Sequence, residues 1–490
     1  MQEEKSLEGY PILLQTYLRN ALTLRRELMP TLRQYQQEDL KFLLTLNSAG
    51  IFSEQRTGKT PLAISYAKAR NVDKTLILCP PSAIPVWVSL WKEWFPEQDI
   101  IGVEGTGYAK KKAKIDQWKN ALVISYDTLK ATKVRKGFID DLRAAIAPKK
   151  DPDLVIIDEA HRIQTRSSAA TSAVYEFIHA PYKLALTGTP SSNKPYQIFS
   201  ILRWLYPKTF TSYWRYIGEF YKSEKKINHS TGQEFTVIGD FISDEKRKEH
   251  AEILNKISVQ RKRKDVMSWL PEKEYTRVSF DPSPKQKQAI DYLHKYFEVG
   301  DIETQGVLDS LMRERQLCLC PELLGIKAES PKITWLIQYL KDYPDRQILI
   351  FSKFTSFLKL LSKKITEELP QKTHQLFIGD TPVYKRAAFV QQFQSQQLSL
   401  LLLNMDAAKE AITLDEAEVA IFTDKYPPVG SIQQAEDRFV ATSESKKDKQ
   451  HEIIELCIRG TYDERLYDII AHNADQIDVI NDYKQYLKGE

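Results

Sequence analysis

Short apolar runs recur along the chain between stretches of helical periodicity. In the first half they are TLILC (75–79), ALVIS (121–125), DLVIID (153–158) and LALTG (184–188). In the second half they are QILIFS (347–352), LSLLLL (398–403), EVAIFTD (418–424) and HEIIELC (451–457). Short runs without polar alternation predict strands buried on both faces, as in parallel α/β sheets. The pattern pauses between about residues 205 and 345, where the sequence is aromatic, charged and mostly helical. Two α/β domains with helical and irregular material between them are therefore expected. Residues 224–241, EKKINHSTGQEFTVIGDF, place alternating apolar residues on both sides of NHSTGQ, which predicts a hairpin turning on Asn, Ser and Gly. The N-terminal residues 1–30, with LLQTYLRNALTLRRELM, read as one or two amphipathic helices; a DNA-binding and a packing role both stay open.

Composition narrows the class. The chain has 490 residues, 42% hydrophobic and 28% charged, enough to build about two or three ordinary cores. No apolar run approaches the ~18 residues of a membrane span. The N-terminal MQEEKSLEGY lacks the basic-then-apolar layout of a signal peptide, so a cytoplasmic address without a membrane partner is expected. Seventy basic residues against sixty-five acidic ones give a net charge of +5, which permits a local basic groove for a polyanion without requiring one. Charge runs are short, such as those at 110–112, 261–264 and 446–449. Cys79, Cys318, Cys320 and Cys457 form no Cys-x-x-Cys pair, so neither a zinc site nor a disulfide frame is indicated.

Candidate chemistry begins at IFSEQRTGKT (51–60), which ends in Gly-Lys-Thr. A tight loop before a helix N-terminus offers free N–H groups to phosphate oxygens. Gly58 lets the backbone approach, Lys59 neutralises phosphate, and the Thr60 hydroxyl suits Mg²⁺. Pro61 fits the first turn of the following helix. Ser53 stands where such a loop has its first glycine. About 100 residues later, LVIIDEAHR (154–162) is a buried strand ending in acids. Acids at the carboxyl end of a parallel strand face the ligand crevice of an α/β sheet. Asp158 suits metal, and Glu159 suits the polarisation of an attacking water.

Gly-Lys-Thr, DEAH and then LTGTP (186–190) resemble motifs I, II and III of superfamily 2 helicases. The flanks resemble the SNF2-like branch: LRQYQQEDLKFL (32–43), LILCPPSAIPVWVSLWKEW (76–94), LTGTPSSNKPYQIFSILRWLYP (186–207), RKRKDVMSWLPEKEY (261–275), ILIFSKFTSFLKLL (348–361) and IQQAEDRF (432–439). These segments cover about residues 30 to 470, and the compact layout is similar to small bacteriophage helicases and to fork-remodelling annealing helicases. The resemblance implies two RecA-like lobes at 31–215 and 271–475, an insertion with hairpin and basic linker at 216–270, a helical extension at 1–30 and a tail at 476–490. It implies ATP and Mg²⁺ as cofactors and branched, forked or single-stranded DNA as partner, with a monomer sufficient. Gln36 would read adenine, with Thr57, Gly58, Lys59 and Thr60 on the phosphates. Thr60 and Asp158 would hold the metal. Lys59, Asp158, Glu159, Gln434 and Arg438 would serve hydrolysis, and Thr187, Gly188 and Thr189 would couple it to DNA. Ser82, Ser125, Tyr126, Lys353 and Thr355 match phosphate-contacting positions.

The departures from the family pattern are specific. SNF2-like loops also lack glycine at the Ser53 position, but Arg56 replaces a usual glycine. Either the backbone there avoids positive φ, or Arg56 turns its side chain into the site. In motif VI, Arg438 matches the first of two arginines and Ala441 takes the place of the second. Either Arg438 acts alone, or Lys446 or Lys447 substitutes. Ala411 and Thr413 replace the usual glycine and asparagine of motif V. A DNA translocase with helicase activity on forked or branched DNA is expected. Its rivals are a duplex translocase that does not separate strands, and an ATP-gated DNA binder with negligible turnover. For the hairpin, a wedge at a DNA junction and a passive surface element both remain open.

Overall fold

The computed structural model describes residues 30–105, 107–130, 138–147, 151–188, 194–227, 232–267, 273–299, 302–407, 414–426, 432, 435, 436, 438, 439, 451–471 and 476–488. The chain divides into two compact units between Val266 and Met267.

The first unit is built on a seven-stranded sheet. Its strands are β1 (Ser48–Ile51), β2 (Thr75–Cys79), β3 (Ile100–Val103), β4 (Ala121–Ser125), β5 (Leu154–Asp158), β6 (Tyr182–Leu186) and β9 (Ser258–Val259), in the order β3-β4-β2-β5-β6-β1-β9. Every neighbouring pair is parallel. Side chains alternate across each strand, so β2 sends Leu76 and Leu78 into one core and Ile77 and Cys79 into the other. That two-sided burial is why these strands read as unbroken apolar runs. The helices Lys59–Arg70 and Ile84–Trp94 cover one face with Leu62, Tyr66, Trp87 and Trp91, all buried.

Between the helix Tyr213–Phe220 and the helix Asp244–Ile257 stands an antiparallel pair, β7 (Tyr221–Ile227) and β8 (Glu234–Phe241). Beyond Tyr221, the β7 residues are exposed, and Phe235 and Val237 of β8 are exposed as well. The root of the pair is packed: the His250 ring lies 5.4–6.1 Å from the rings of Tyr216, Phe220, Tyr221 and Phe241. The hairpin turn at 228–231 lies outside the described residues. The expected separate insertion at 216–270 gives way to a different division. Tyr216, Ile217 and Phe220 join the first core, and β9 pairs with β1 at the sheet edge, so the segment through Val266 is part of the first unit.

The second unit carries a six-stranded parallel sheet of β10 (Glu274–Phe280), β13 (Ile348–Ser352), β14 (His374–Phe377), β15 (Leu400–Asn404), β16 (Val419–Phe422) and β17 (Glu452–Ile458), ordered β10-β17-β16-β13-β15-β14. A short pair, β11 (Glu298–Val299) and β12 (Ile302–Glu303), lies apart from it. The alternation repeats: Ile348 and Ile350 of β13 enter one core, Leu349 and Phe351 the other. The expected tail at 476–490 instead contains the helix Gln476–Tyr486, because Val479 and Tyr483 are fully buried in the second unit. All four cysteines are buried and unbridged. Among the described residues, no helix is long and apolar enough to cross a membrane.

Candidate active site

In the first unit β5, β6 and β1 are neighbours in the sheet, and their carboxyl ends carry the three motifs. The loop after β1 is fastened from both sides. Phe52 N–H donates to Val259 O at 2.9 Å, Glu54 N–H to Arg261 O at 2.9 Å, and Arg261 N–H to Ser53 Oγ at 3.1 Å. The Ser53 hydroxyl therefore extends the β1–β9 ladder by one acceptor, which a glycine would not do. The Arg261 guanidinium then donates to the buried Asp39 carboxylate at 2.7 and 3.0 Å, tying the helix Gln34–Leu43 to the same loop.

Gln36 is buried and holds the loop from that helix. Its side-chain amide donates to Gly58 O at 3.1 Å and Thr57 O at 3.4 Å, while its oxygen accepts from Arg33 N–H at 2.9 Å. The Thr57 hydroxyl donates to Glu54 O at 2.8 Å. Gly58 has φ +74°, and a Cβ there would lie 2.2 Å from Gln36 Nε2. Two independent reasons thus demand glycine. Arg56 also has positive φ, 65°, so the loop takes the left-handed turn with a non-glycine residue. That excludes the first of the two alternatives for Arg56, a backbone that avoids positive φ, and it stores strain on the order of 1–3 kcal/mol. The Lys59 ammonium donates to Ser53 O at 3.0 Å and Glu54 O at 3.1 Å. Thr60 follows it in the first turn of its helix.

Asp158 ends β5. Its carboxylate accepts from the Trp87 indole N–H at 2.8 Å and the Glu159 N–H at 2.9 Å. Burial, and then the neighbouring Glu159 carboxylate, push Asp158 up to about 6, against the pull of the Trp87 bond and the Lys59 charge. Glu159 sits at φ 51°. Its carboxylate lies 3.2 Å from His161 Nδ1, which lies 3.4 Å from the fully buried Thr187 hydroxyl. Gly188 passes close to the loop: a Cβ there would stand 3.2 Å from Gln55 Cγ and 3.7 Å from Lys59 Nζ. Motif III therefore packs on motif I, with His161 between the acids and Thr187. Thr189 lies outside the described residues.

The expected nucleic-acid positions divide. Ser82 is half-buried in the turn after β2. Ser125 and Tyr126 are buried. They are 4% and 2% exposed, and their hydroxyls are used internally. Ser125 Oγ caps the helix Tyr126–Leu129 by accepting Thr128 N–H at 3.1 Å. Tyr126 OH donates to Asp158 O at 2.7 Å, so it braces the metal-type acid rather than facing solvent.

In the second unit, Lys353 and Thr355 follow β13 directly. Lys353 N–H donates to Asp424 Oδ1 at 3.1 Å, its ammonium pairs with Asp406 at 2.7 Å, and Asn404 donates to Thr355 Oγ1 at 3.2 Å. Asp424 is buried and neutralised by Arg315 at 3.0 Å. Arg438 is half-buried, and its carbonyl accepts Leu414 N–H at 2.7 Å. Two residues earlier, buried Glu436 accepts from Lys425, Lys273 and Tyr275 at 2.9–3.1 Å. Burial works to raise the Glu436 carboxyl, but the Lys273 and Lys425 charges outweigh it and hold the carboxyl below its ordinary range. Gln434, Ala441, Lys446, Lys447, Ala411 and Thr413 lie outside the described residues.

An SNF2-related domain matches residues 35–323, and a helicase conserved C-terminal domain matches residues 331–440. The chain belongs to the SNF2-related family. This SNF2-related chain is 24% identical over 469 residues to the DNA annealing helicase and endonuclease ZRANB3 of Mus musculus, covering 92% of this chain and 40% of that protein. It is 23% identical over 466 residues to an uncharacterized ATP-dependent helicase of Mycoplasma genitalium, covering 91% of this chain and 42% of that one. It thus spans about two fifths of the length of these curated relatives. A solved Sulfolobus solfataricus SWI2/SNF2 ATPase core in complex with dsDNA aligns with 91% of this chain and 92% of its own, at 21% identity and a TM-score of 0.41. Trp87, Arg261 and Glu436 were not among the expected site residues. Trp87 and Arg261 lie inside the quoted segments 76–94 and 261–275, but an apolar helix hides an indole donor, and a basic run hides which cation faces a carboxylate.

Proposed function

We propose that this SNF2-related chain is an ATP- and Mg²⁺-dependent DNA translocase with helicase activity on branched or forked DNA. The observation that carries the reading is the meeting of Lys59, the Asp158–Glu159 pair and Gly188 at adjacent strand ends. Lys59 and the N-terminus of its helix bind the nucleotide phosphates, and Gln36 senses the nucleotide while it holds the loop. The donor set fits Mg²⁺, which takes oxygen ligands and is bound through one or two carboxylates plus phosphates. Thr60 Oγ1 and the Asp158 carboxylate would hold it; the ion supplies charge neutralisation on the phosphates. Among the described residues, no group of three or more His, Cys, Asp or Glu forms an all-protein metal cage.

Glu159 orients and polarises water, with His161 fixing its carboxylate. Gln434 and Arg438 of the second unit take part in hydrolysis, and Thr187, Gly188 and Thr189 relay the state of the loop toward DNA. Ser82, Lys353 and Thr355 contact the phosphate backbone without reading bases. The hairpin β7–β8 serves as the wedge that separates strands. Its packed root and exposed blade support that role. A DNA annealing helicase among the relatives supports the forked substrate. ATPase rates with single-stranded, duplex, forked and four-way DNA, paired with fluorescent fork unwinding, test the reading. DNA-stimulated hydrolysis without unwinding leaves a duplex translocase; hydrolysis unaffected by any DNA removes the motor.

A further inference from the structure

Beside the DEAH loop the first unit has a second constellation, which none of the roles above employs. A cavity of about 480 Å³ is lined by Gln164, Arg166, Ser167, Gln197 and Tyr213, among others, and no described residue lining it is acidic. The Arg166 guanidinium carbon stands over the Tyr213 ring, 3.4 Å from its centroid. Tyr213 is held from another side by the edge of Phe199, at 5.3 Å and 73°. Trp214 stands next to it, 5.2 Å away and 55% exposed. Among the described residues, no carboxylate lies within ion-pair distance of the exposed Arg166. A single exposed tryptophan is ordinary on a protein surface. An exposed tryptophan beside a stacked, uncompensated guanidinium at an acid-free polar cavity is a different arrangement.

Those parts match the chemistry of an unpaired nucleotide. Every base has a π-face that stacks on an aromatic ring, and arginine adds both stacking and charge for the adjoining phosphate. The amide and hydroxyl groups lining the cavity suit base edges or sugar oxygens. The location adds a reason. Trp214 is at the start of the helix Tyr213–Phe220, whose other end runs directly into β7. Seven residues of helix rise roughly 10 Å, about three nucleotides at ~3.4 Å each.

We infer that Trp214, Tyr213 and Arg166 form a stacking platform for an unpaired base of single-stranded DNA, which holds one strand close to the root of the hairpin. The inference rests on the reading of the chain as a DNA motor. It goes beyond that reading by assigning a base-contacting site outside the helicase motifs. The platform captures a base by stacking and is indifferent to sequence, so it favours junctions that expose unpaired nucleotides.

The test uses the full chain and an oligothymidylate carrying one 2-aminopurine, whose fluorescence reports stacking. Wild-type protein is expected to bind it and quench the probe. Trp214→Ala is expected to weaken binding about five- to a hundred-fold and lose the quenching, with DNA-independent ATPase and thermal melting unchanged. Trp214→Phe, which keeps a ring, is expected to recover most of the affinity and guards against misfolding of the alanine variant. Arg166→Ala is expected to weaken binding and reduce the slope of log affinity against log salt by about 0.7. Trp214→Ala binding within twofold of wild type, with quenching intact, overturns the platform and leaves the motor reading standing. Loss with Arg166→Ala alone overturns stacking in favour of simple charge. Wild-type protein that binds neither single-stranded nor duplex DNA removes the motor reading and the platform together.

Discussion

Replacing Gly58 with alanine tests the phosphate loop at its tightest point. Two costs arise. Alanine at φ +74° pays the left-handed penalty of about 1–2 kcal/mol. Its Cβ also meets Gln36 Nε2 at 2.2 Å, so that amide must leave its position. Leaving breaks the bonds to Gly58 O and Thr57 O and strands a buried polar group, about 1–3 kcal/mol more. The sum is roughly 2–5 kcal/mol, a ceiling because the loop can yield locally. With about 2–4 °C per kcal/mol for a unit of this size, melting should fall by up to about 20 °C, and binding of a fluorescent ATP analogue should drop at least tenfold. A double-mutant cycle isolates the contact. With Gln36→Ala in the background, Gly58→Ala should cost only the backbone penalty, leaving a coupling of about 1–3 kcal/mol. An identical cost in both backgrounds would refute the argument that the Gln36 amide is what alanine displaces.

Four further outcomes are expected. Glu159→Gln should bind ATP and DNA but hydrolyse at least about 10²-fold more slowly; normal turnover would assign the base elsewhere. Arg438→Ala should lose most ATPase activity, because Ala441 stands where a second arginine would compensate; retention of half the rate directs attention to Lys446 and Lys447. Replacing residues 227–238 with a Gly-Ser linker should leave DNA-stimulated ATPase largely intact and cut fork unwinding at least tenfold, whereas a parallel loss of both would make the hairpin structural. Burial pushes His250 down to about 4, so between pH 6.5 and 4 the unfolded chain binds the extra proton and stability falls as pH falls, by about 2 kcal/mol at pH 5. Denaturant melts of wild type and His250→Gln at pH 7 and pH 5 should show that slope in the first and a shallower one in the second.

The eight apolar runs all became strands, and TLILC and ALVIS did so without a shift of boundary. Burial on both faces is the condition that makes a strand legible as a run. Apart from the hairpin β7–β8, which its turn residues marked, strands exposed on one face were not marked. β10 lies at a sheet edge with Glu274, Tyr275, Thr276 and Arg277 exposed, so its sequence carries no apolar block. β1 is buried but only four residues long, and Gly50 is needed in it because a Cβ would strike the Phe52 ring at 2.4 Å. The motif residues were legible because phosphate and metal chemistry restrict residue types at short spacing. Their supports were not, because Trp87 reaches Asp158 across 71 positions and Arg261 reaches Asp39 across 222. Ser125 and Tyr126 show the reverse case, with hydroxyls engaged inside the protein. A motif position names a place at a strand end, but burial decides whether its hydroxyl faces a ligand or the protein.

Ser53 and Arg56 together explain how the loop manages with one glycine fewer. A glycine-rich phosphate loop is free to take unusual φ values, and that freedom must be paid for by something that fixes it. Here the fixing is done by hydrogen bonds from outside the loop: Val259, Arg261 and Arg263 bond Phe52, Ser53 and Glu54 in succession. A loop held by that ladder has its path imposed, so Arg56 can be carried at φ 65° without glycine's permissiveness. The same ladder occupies the last turns of chain before the division at Val266 and Met267. The segment that leaves the first unit is therefore bonded, residue by residue, to the loop expected to hold phosphate. Any displacement of residues 261–263 must either carry Ser53 and Glu54 with it or break at least three hydrogen bonds, each worth about 1 kcal/mol net. Lys59 donates to the backbone carbonyls of those same two residues, Ser53 and Glu54, so the position of its ammonium depends on the linker as well as on its own helix.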